Sequence, residues 1–206
     1  MWYYNKNSIM LGDDKMNTVE PIREIQKILA IKRILKEQSN PRDYLLFTMG
    51  INFALRINDL LSLKVKDVLD KKGEIVEYLH LREQKTKKEK KIKINQAVRE
   101  ALEYYFKKAN VTDPDNYLFT SYRSNQKLDR IRVWQMIKNW CKEVGLDSKR
   151  IGTHTLRKTW GYQARKKGIT IEQISEKLGH RSSIVTKRYI GINQDEINKI
   201  EDEVCL

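Results

Sequence analysis

The sequence is poor in cysteine, proline and glycine and has no long apolar run. Its 206 residues include 2 cysteines, 3 prolines and 9 glycines. Two cysteines, Cys141 and Cys205, cannot build the disulfide framework that stabilises small secreted domains. A membrane-spanning helix needs about 18 consecutive apolar residues, and the N-terminus lacks the pattern of a signal peptide. We therefore expect a cytoplasmic protein without a membrane partner.

Acidic residues are also outnumbered. The chain has 41 lysines and arginines against 27 aspartates and glutamates, which gives a formal net charge of +14. This excess predicts a polyanionic partner, although charge alone does not distinguish DNA from RNA or a membrane surface. Hydrophobic residues at 40% and charged residues at 33% favour a soluble globular domain over a disordered chain.

Helical periodicity dominates the chain from residue 20 onward. Pro21 suits the first position of a helix, and Asn40 is placed to cap the apolar helix that follows it. Thr170 begins a capping-box pattern. Ser182 or Ser183 is expected to cap the last helix of the domain.

One segment follows a period of two instead. Ile75, Glu77, Leu79 and Leu81 lie on one side of a period-two segment, and residues 91–94 alternate again after a charged turn at 85–90, which predicts a β-hairpin. A third short strand is expected at 65–69. The predicted fold class is therefore mainly α, with a small three-stranded antiparallel β-sheet.

These patterns divide the chain into three parts. Residues 1–19 have no period and are expected to form an irregular leader. Residues 20–191 are expected to form one domain. Residues 192–206 carry 5 acidic residues and 1 lysine and have apolar residues at helical spacing, which predicts an acidic C-terminal helix or tail.

Three short stretches stand out by their order and spacing. They are Ala54-Leu55-Arg56-Ile57-Asn58-Asp59-Leu60-Leu61, then Thr153-His154-Thr155-Leu156-Arg157, then Leu178-Gly179-His180-Arg181 with Tyr189 following. Together they resemble the tyrosine recombinase (phage integrase) family. That family combines an arginine box, a lysine on a β-hairpin, a His-x-x-Arg motif, a Leu-Gly-His motif and a tyrosine. The resemblance covers residues 20–190 and implies the catalytic-domain fold of this family.

The resemblance implies a set of catalytic side chains for DNA strand cleavage and rejoining. Tyr189 would be the nucleophile and would form a phosphotyrosyl bond to the DNA 3′ end. Arg56 and Arg157 would bind the non-bridging phosphate oxygens. His154 and His180 would help to move the tyrosine proton and to bind the phosphate.

Physical chemistry makes this set intelligible. Metal-free phosphoryl transfer needs a nucleophile, an acid for the leaving oxygen, and positive donors on the phosphate. Arginine suits the last task because its planar fork donates two parallel hydrogen bonds and keeps its charge. No ATP or other cofactor is implied, since the phosphotyrosyl bond stores the energy for rejoining, and we find no zinc ligand set. Asp59 is expected to orient one of the catalytic groups.

The hairpin holds several lysines that could supply the acid. Gln84-Lys85-Thr86 matches the lysine position of the family, so Lys85 is predicted to protonate the leaving 5′ oxygen, with Lys87 as the alternative. Contacts with DNA phosphates, or only a solvated turn, are expected of Lys87, Lys88 and Lys90. The third histidine, His80, is interpreted as a strand residue.

Each of these side chains also has an ordinary structural interpretation. Tyr189 could serve only for packing, His154 as a helix cap, and Arg56 as a chain whose stem lies on apolar neighbours. Their joint occurrence favours a shared site. The alternatives within the same fold are a type IB topoisomerase and a non-catalytic DNA-binding relative.

The expected partners follow from the resemblance. They are double-stranded DNA, further copies of the chain in a tetramer on DNA, and an accessory DNA-binding factor. Most family members carry a core-binding domain before the catalytic one, and this chain is expected to be a compact member without it. The acidic tail is expected to be exchanged between protomers. Integrases of this type act on mobile DNA in bacteria and phages.

The positive charge is concentrated in two segments. Residues 82–108 hold 10 basic and 4 acidic residues, and residues 123–167 hold 13 and 3. These segments surround the hairpin and the His-x-x-Arg motif. The charge therefore predicts a DNA footprint around the site, with binding that weakens as salt is added.

Overall fold

The computed structural model describes residues 19–109, 111, 113–121, 126–191 and 201–204. The predicted leader, except residue 19, lies outside the described residues. So does the predicted acidic tail, except residues 201–204. The part of the chain that the structure describes contains no helix long and apolar enough to cross a membrane.

Helices account for most of the described fold, as predicted. The helices that build this fold are α1 (Ile25–Glu37), α2 (Pro41–Phe53), α3 (Ile57–Leu61), α4 (Gln96–Lys108), α5 (Arg130–Glu143), α6 (Thr155–Lys166), α7 (Ile171–Leu178) and α8 (Ser183–Ile190).

Three of the predicted helix starts are confirmed by their caps. The Asn40 side chain accepts a hydrogen bond from the backbone of the first turn of α2. Thr170 forms a capping box at α7, and Ser182 caps α8. Each cap satisfies backbone N–H groups that have no partner within the helix.

The helix start predicted at Pro21 is wrong, because α1 begins four residues later. The backbone N–H of Ile22 donates to the Thr159 hydroxyl at 2.8 Å. The Gln163 amide donates to the carbonyls of Ile22 and Arg23 at 3.1 and 2.8 Å. These contacts from α6 use the backbone groups of residues 22–23, so tertiary packing overrides the local helix signal.

The predicted hairpin is confirmed as an antiparallel pair, β1 (Tyr78–Arg82) and β2 (Glu89–Lys93). Leu79 faces Ile92 across the pair, and both side chains are buried. The alternation therefore puts one face of the hairpin on the core.

The expected third strand is wrong, since the sheet has two strands among the described residues. Residues Val65–Asp67 form a 3-10 turn, and Leu69 makes only an isolated bridge to Ile75. The N–H groups of Val65 and Lys66 donate to carbonyls at Asn116 and Pro114, each at 3.0 Å. Residues 65–66 therefore pair with a loop and not with the hairpin.

Two close approaches hold the helices that carry the predicted site. A Cβ added to Gly50 of α2 would lie 2.5 Å from the Leu156 side chain of α6. A Cβ added to Gly161 of α6 would lie 2.6 Å from Cγ2 of Ile190 in α8. The absent side chains let α6 pack directly against α2 and α8, and this fixes the distance between the two predicted catalytic helices.

Candidate active site

The predicted site residues come from four segments that meet at one surface. Arg56 immediately precedes α3, and Lys85 lies in the hairpin loop after β1. His154 is the N-cap residue of α6, and Arg157 lies in its first turn. His180 follows α7, and Tyr189 is near the end of α8. Side chains up to 133 positions apart in sequence are thus brought together.

The Tyr189 ring lies between the two histidines. Its hydroxyl is 3.0 Å from Nδ1 of His154. The His180 ring packs edge-on against it, with centroids 4.8 Å apart. Lys158 Nζ lies over the ring, 4.9 Å from its centroid. Burial raises the pKa of Tyr189, although the charge and hydrogen bond of Arg157 and the charge of Arg56 oppose this shift.

Arg157 is buried and connects α6 to the end of α7. Its side chain is 3% exposed, and Nη2 donates to the carbonyl of Leu178. Nη1 is buried and has no hydrogen-bond acceptor among the described residues. A buried guanidinium donor without an acceptor is costly, so this atom is suited to an anion that enters the site.

Both histidines are shifted toward the neutral form. Burial and the charges of Arg157, Arg56 and Lys90 lower the pKa of His180 to about 4. Burial and nearby cations, Arg157 first, also lower the pKa of His154. A neutral imidazole has one nitrogen with a free lone pair and can accept a proton at neutral pH.

Thr186 holds His180 from the other side. Its hydroxyl oxygen is 3.0 Å from Nδ1 of His180 and 3.2 Å from the Ser182 carbonyl, to which the hydroxyl donates. A hydroxyl has only one hydrogen. We therefore assign the His180 proton to Nδ1, which donates to Thr186 and leaves Nε2 as the acceptor.

Arg56 forms an ion pair that the sequence did not indicate. Its Nη1 lies 2.9 Å from Oε1 of Glu83, whose side chain is 2% exposed. Lys90 Nζ lies 3.0 Å from the same oxygen, and Thr86 donates its hydroxyl to Oε2. Burial favours the neutral acid, but the hydrogen bonds from Thr86 and Lys90 and the charges of Lys90 and Arg56 lower the pKa of Glu83 to about 2.

Asp59 holds the hairpin loop next to Lys85. Its Oδ1 accepts a hydrogen bond from the backbone N–H of Gln84 at 2.8 Å, and its side chain is buried. Lys85 and Arg56 share a cavity of about 220 Å³ that is also lined by Asp59, Arg130 and His154. The backbone just before Lys85 is thus held in place, while the Lys85 side chain itself is exposed.

The other hairpin lysines differ in exposure. Lys87 and Lys88 are exposed, and Lys87 adopts a left-handed backbone with φ of 58°. Lys90 is largely buried, and its ammonium donates to the carbonyl of Lys177 at 3.0 Å besides pairing with Glu83. Lys90 is therefore engaged within the protein, while Lys87 and Lys88 face solvent.

Three residues near the site were not identified from the sequence. Glu83 looks like one more charged residue of a polar turn, and Thr186 like a helix-surface threonine. Arg130 belongs to a run of basic residues. No sequence pattern marks burial of the first two. Within the described ranges, no group of three or more histidine, cysteine or acidic residues is arranged to hold a metal ion.

The comparisons with known proteins agree on one family. The phage integrase family matches residues 21–196. The chain is 40% identical over 180 residues to YoeC, a probable integrase/recombinase of Bacillus subtilis, over 87% of this chain and 93% of YoeC. It is 29% identical to tyrosine recombinase XerA of Pyrococcus horikoshii, over 85% of this chain. The chain spans 59% of the length of that XerA.

Solved structures show the same fold. The crystal structure of XerA recombinase matches with a TM-score of 0.70 at 21% identity, over 98% of this chain and 69% of that chain. The XerH site-specific recombinase bound to palindromic difH substrate, in a post-cleavage complex, matches with a TM-score of 0.67 at 18% identity. That match covers 91% of this chain and 53% of XerH.

Proposed function

Because this chain belongs to the phage integrase family of tyrosine recombinases, we propose that it cleaves and rejoins double-stranded DNA at specific sites through a 3′-phosphotyrosyl intermediate. One observation carries the proposal. The Tyr189 hydroxyl lies 3.0 Å from a histidine nitrogen, in a site that also holds a buried arginine with an unused donor among the described residues. A tyrosine serving only for packing needs neither group.

In the proposed cleavage step, the Tyr189 oxygen attacks the scissile phosphorus. The new bond joins this oxygen to phosphorus, and the bond from phosphorus to the 5′ oxygen breaks. His154 accepts the tyrosine proton, since its Nδ1 is already at hydrogen-bond distance and burial favours its neutral form. Lys85 donates a proton to the leaving 5′ oxygen.

The two arginines bind the phosphate in this proposal. Nη1 of Arg157, which has no hydrogen-bond acceptor within the described part of the chain, supplies one donor, and the partly exposed Arg56 supplies the others. Fixed donors around the developing charge need no reorganisation during the reaction. Rejoining reverses the step with a 5′ hydroxyl as nucleophile, so neither ATP nor another cofactor is consumed.

The proposed assembly goes beyond one chain. Strand exchange between two duplexes needs four cleavages, so we propose a tetramer on DNA, with the acidic tail exchanged between protomers. An accessory DNA-binding factor is proposed as well. The basic residues concentrated in 82–108 and 123–167 support DNA as the polyanion.

The test is the formation of a covalent adduct with DNA. The protein is incubated with a pool of nicked duplexes of varied sequence, and a denaturing gel separates free from protein-linked DNA. We expect an adduct with a subset of sequences, lost in Tyr189→Phe and kept in the control Tyr78→Phe, which alters a tyrosine of β1.

Other outcomes separate the alternatives. Adducts on any sequence, with relaxation of supercoils and no strand exchange, would identify a type IB topoisomerase. Binding without any adduct would identify a non-catalytic DNA-binding protein.

A further inference from the structure

Glu83 is a buried carboxylate at the junction of the segments that form the site. It directly follows β1 and is 2% exposed. Its Oε1 pairs with Arg56 at 2.9 Å and with Lys90 at 3.0 Å, and its Oε2 accepts from Thr86. All three partners are charged or polar groups of the site or of the hairpin.

The chain next to Glu83 is held at a second point. The N–H of Gln84 donates to Asp59 at 2.8 Å. Arg56 and Asp59 belong to the same short stretch at the start of α3. That stretch thus holds two consecutive hairpin residues, and Lys85 is the next residue along the chain.

The same carboxylate also connects the hairpin to the end of α7. Lys90, its other cationic partner, donates to the Lys177 carbonyl at 3.0 Å. The next carbonyl, that of Leu178, accepts from Arg157. The contacts run from Arg56 through Glu83 and Lys90 to the turn before His180.

Folding stability does not by itself explain why the Glu83 carboxylate and its cationic partners are buried. Replacement of a buried ion cluster by apolar residues of similar volume is often neutral or stabilising. In this protein the ion pair defines a geometry, because Arg56 and Lys90 meet the same Glu83 oxygen at 2.9 and 3.0 Å. Here the geometry belongs to a loop that is otherwise exposed at residues 84–88.

We propose that Glu83 is a positioning residue that fixes the base of the hairpin loop so that Lys85 points at the leaving 5′ oxygen. Glu83 itself does not touch the substrate. The proposal rests on the function proposed above, in which Lys85 is the general acid. Glu83 thereby supports protonation of the leaving 5′ oxygen by Lys85, and not phosphate binding by Arg56.

The leaving group distinguishes these two roles. Cleavage of a normal phosphodiester needs a proton on the 5′ oxygen, whereas a 5′-bridging sulfur leaves as a thiolate, because a thiol has a pKa near 8.5. In that substrate the Tyr189 oxygen bonds to phosphorus, the bond from phosphorus to sulfur breaks, and no proton is required. Only defects in the acid step are rescued.

The experiment measures single-turnover cleavage of matched oxygen and sulfur duplexes that the wild-type protein cleaves. We expect Glu83→Gln to slow cleavage of the oxygen substrate on the order of 100-fold, within the range of general-acid catalysis. The sulfur substrate should restore its rate to within a few-fold of wild type, as for Lys85→Ala. Arg56→Ala should stay slow on both. The matched control is Glu89→Gln, the same change at an exposed hairpin position.

Two results would overturn the proposal. Equal loss on both substrates would place Glu83 in phosphate binding, and wild-type rates on the oxygen substrate would remove it from the reaction. If Glu83→Gln does not fold, Thr86→Val, which removes one bond to Glu83 and keeps its charge, should give the same pattern with a smaller loss.

A second readout does not depend on cleavage. Hydrogen exchange of the free protein should show the amides of residues 84–88 exchanging at least about 10-fold faster in Glu83→Gln, since the loop loses a hydrogen-bonded anchor. The amides of α4 should not change. Unchanged exchange at the loop would refute the positioning role, whereas absence of cleavage by the wild-type protein would refute only the proposed function.

Discussion

At the scale of single residues, the site depends on where a few protons lie. Thr186 is fully buried, and its hydroxyl hydrogen goes to the Ser182 carbonyl. The oxygen therefore receives the Nδ1 proton of His180, and Nε2 keeps its lone pair. A neutral His180 with this tautomer can accept a hydrogen bond or a proton but cannot donate one from Nε2.

Replacement of the Thr186 hydroxyl should disturb this tautomer. Thr186→Val keeps the side-chain shape and removes the bond, which is worth about 1 kcal/mol, so cleavage should fall about 5-fold. Imidazole ¹⁵N shifts of His180 should move toward a mixture of tautomers, whereas Thr186→Ser should keep the wild-type pattern. An unchanged tautomer in the valine variant would contradict the assignment.

The sequence motifs locate the main side chains but not what holds them. Arg56, His154, Arg157, His180 and Tyr189 lie in stretches whose order is visible along the chain, and the structure brings them together. No sequence motif marks Glu83 as a site residue, because a glutamate in a charged turn is ordinarily solvated. Only the fold shows that two cations cover it.

At the scale of elements, the site depends on how closely α6 and α8 approach. Gly161 of α6 faces Ile190, the residue after Tyr189. A side chain at position 161 would displace α8 and with it the tyrosine hydroxyl, which lies 3.0 Å from His154. The packing of Gly161 against Ile190 thus controls the distance between the Tyr189 hydroxyl and His154.

Gly161→Ala should destabilise the protein by about 1–3 kcal/mol, as expected for an overpacked contact. It should also slow cleavage. Ile190→Ala removes the obstructing atom, so the double variant should be no less stable than Ile190→Ala alone. Urea unfolding of the four proteins measures this coupling. Additive losses would show that the contact does not limit the approach.

Local signals predicted the helix caps and the hairpin, but not the contacts between segments that are far apart in sequence. Asn40, Thr170 and Ser182 act on their own first turns, so sequence spacing suffices. The helix start predicted at Pro21 is wrong because side chains of α6 bind the backbone of residues 22–23. The predicted third strand is wrong for a similar reason. The backbone N–H groups of residues 65–66 donate to carbonyls about 50 positions away in sequence.

At the scale of the whole molecule, charge counted along the chain overstates what is free to meet DNA. Lys90 is paired with a buried carboxylate, and Lys64 and Lys66 pair with Asp115 at 3.3 and 2.6 Å. Such neutralisation depends on the fold and cannot be read from composition. Lys87 and Lys88 stay exposed beside the cavity that Lys85 lines.

The buried titratable groups predict two steps in acid stability. The pKa of His180 falls from 6.5 to about 4 on folding, so the unfolded chain takes up its proton first and the free energy of unfolding decreases as pH falls through this range. The pKa of Glu83 falls from 4.5 to about 2, so the stability it contributes above pH 4.5 is lost as pH drops toward 2.

Variants should separate the two ranges. His180→Gln should flatten the decrease between pH 6.5 and 4, and Glu83→Gln should flatten the decrease between 4.5 and 2. Urea unfolding at a series of pH values measures both slopes. Curves that stay parallel to wild type throughout would contradict the assigned shifts.

Mass spectrometry of the covalent adduct identifies the nucleophile directly. Protein trapped on a nicked duplex is digested with protease and nuclease, and the peptides that carry a nucleotide are sequenced. We predict a single modified peptide, with the 3′-phosphate on the Tyr189 oxygen. A nucleotide on another side chain, or unmodified Tyr189 in protein that has cleaved DNA, would show that Tyr189 is not the nucleophile.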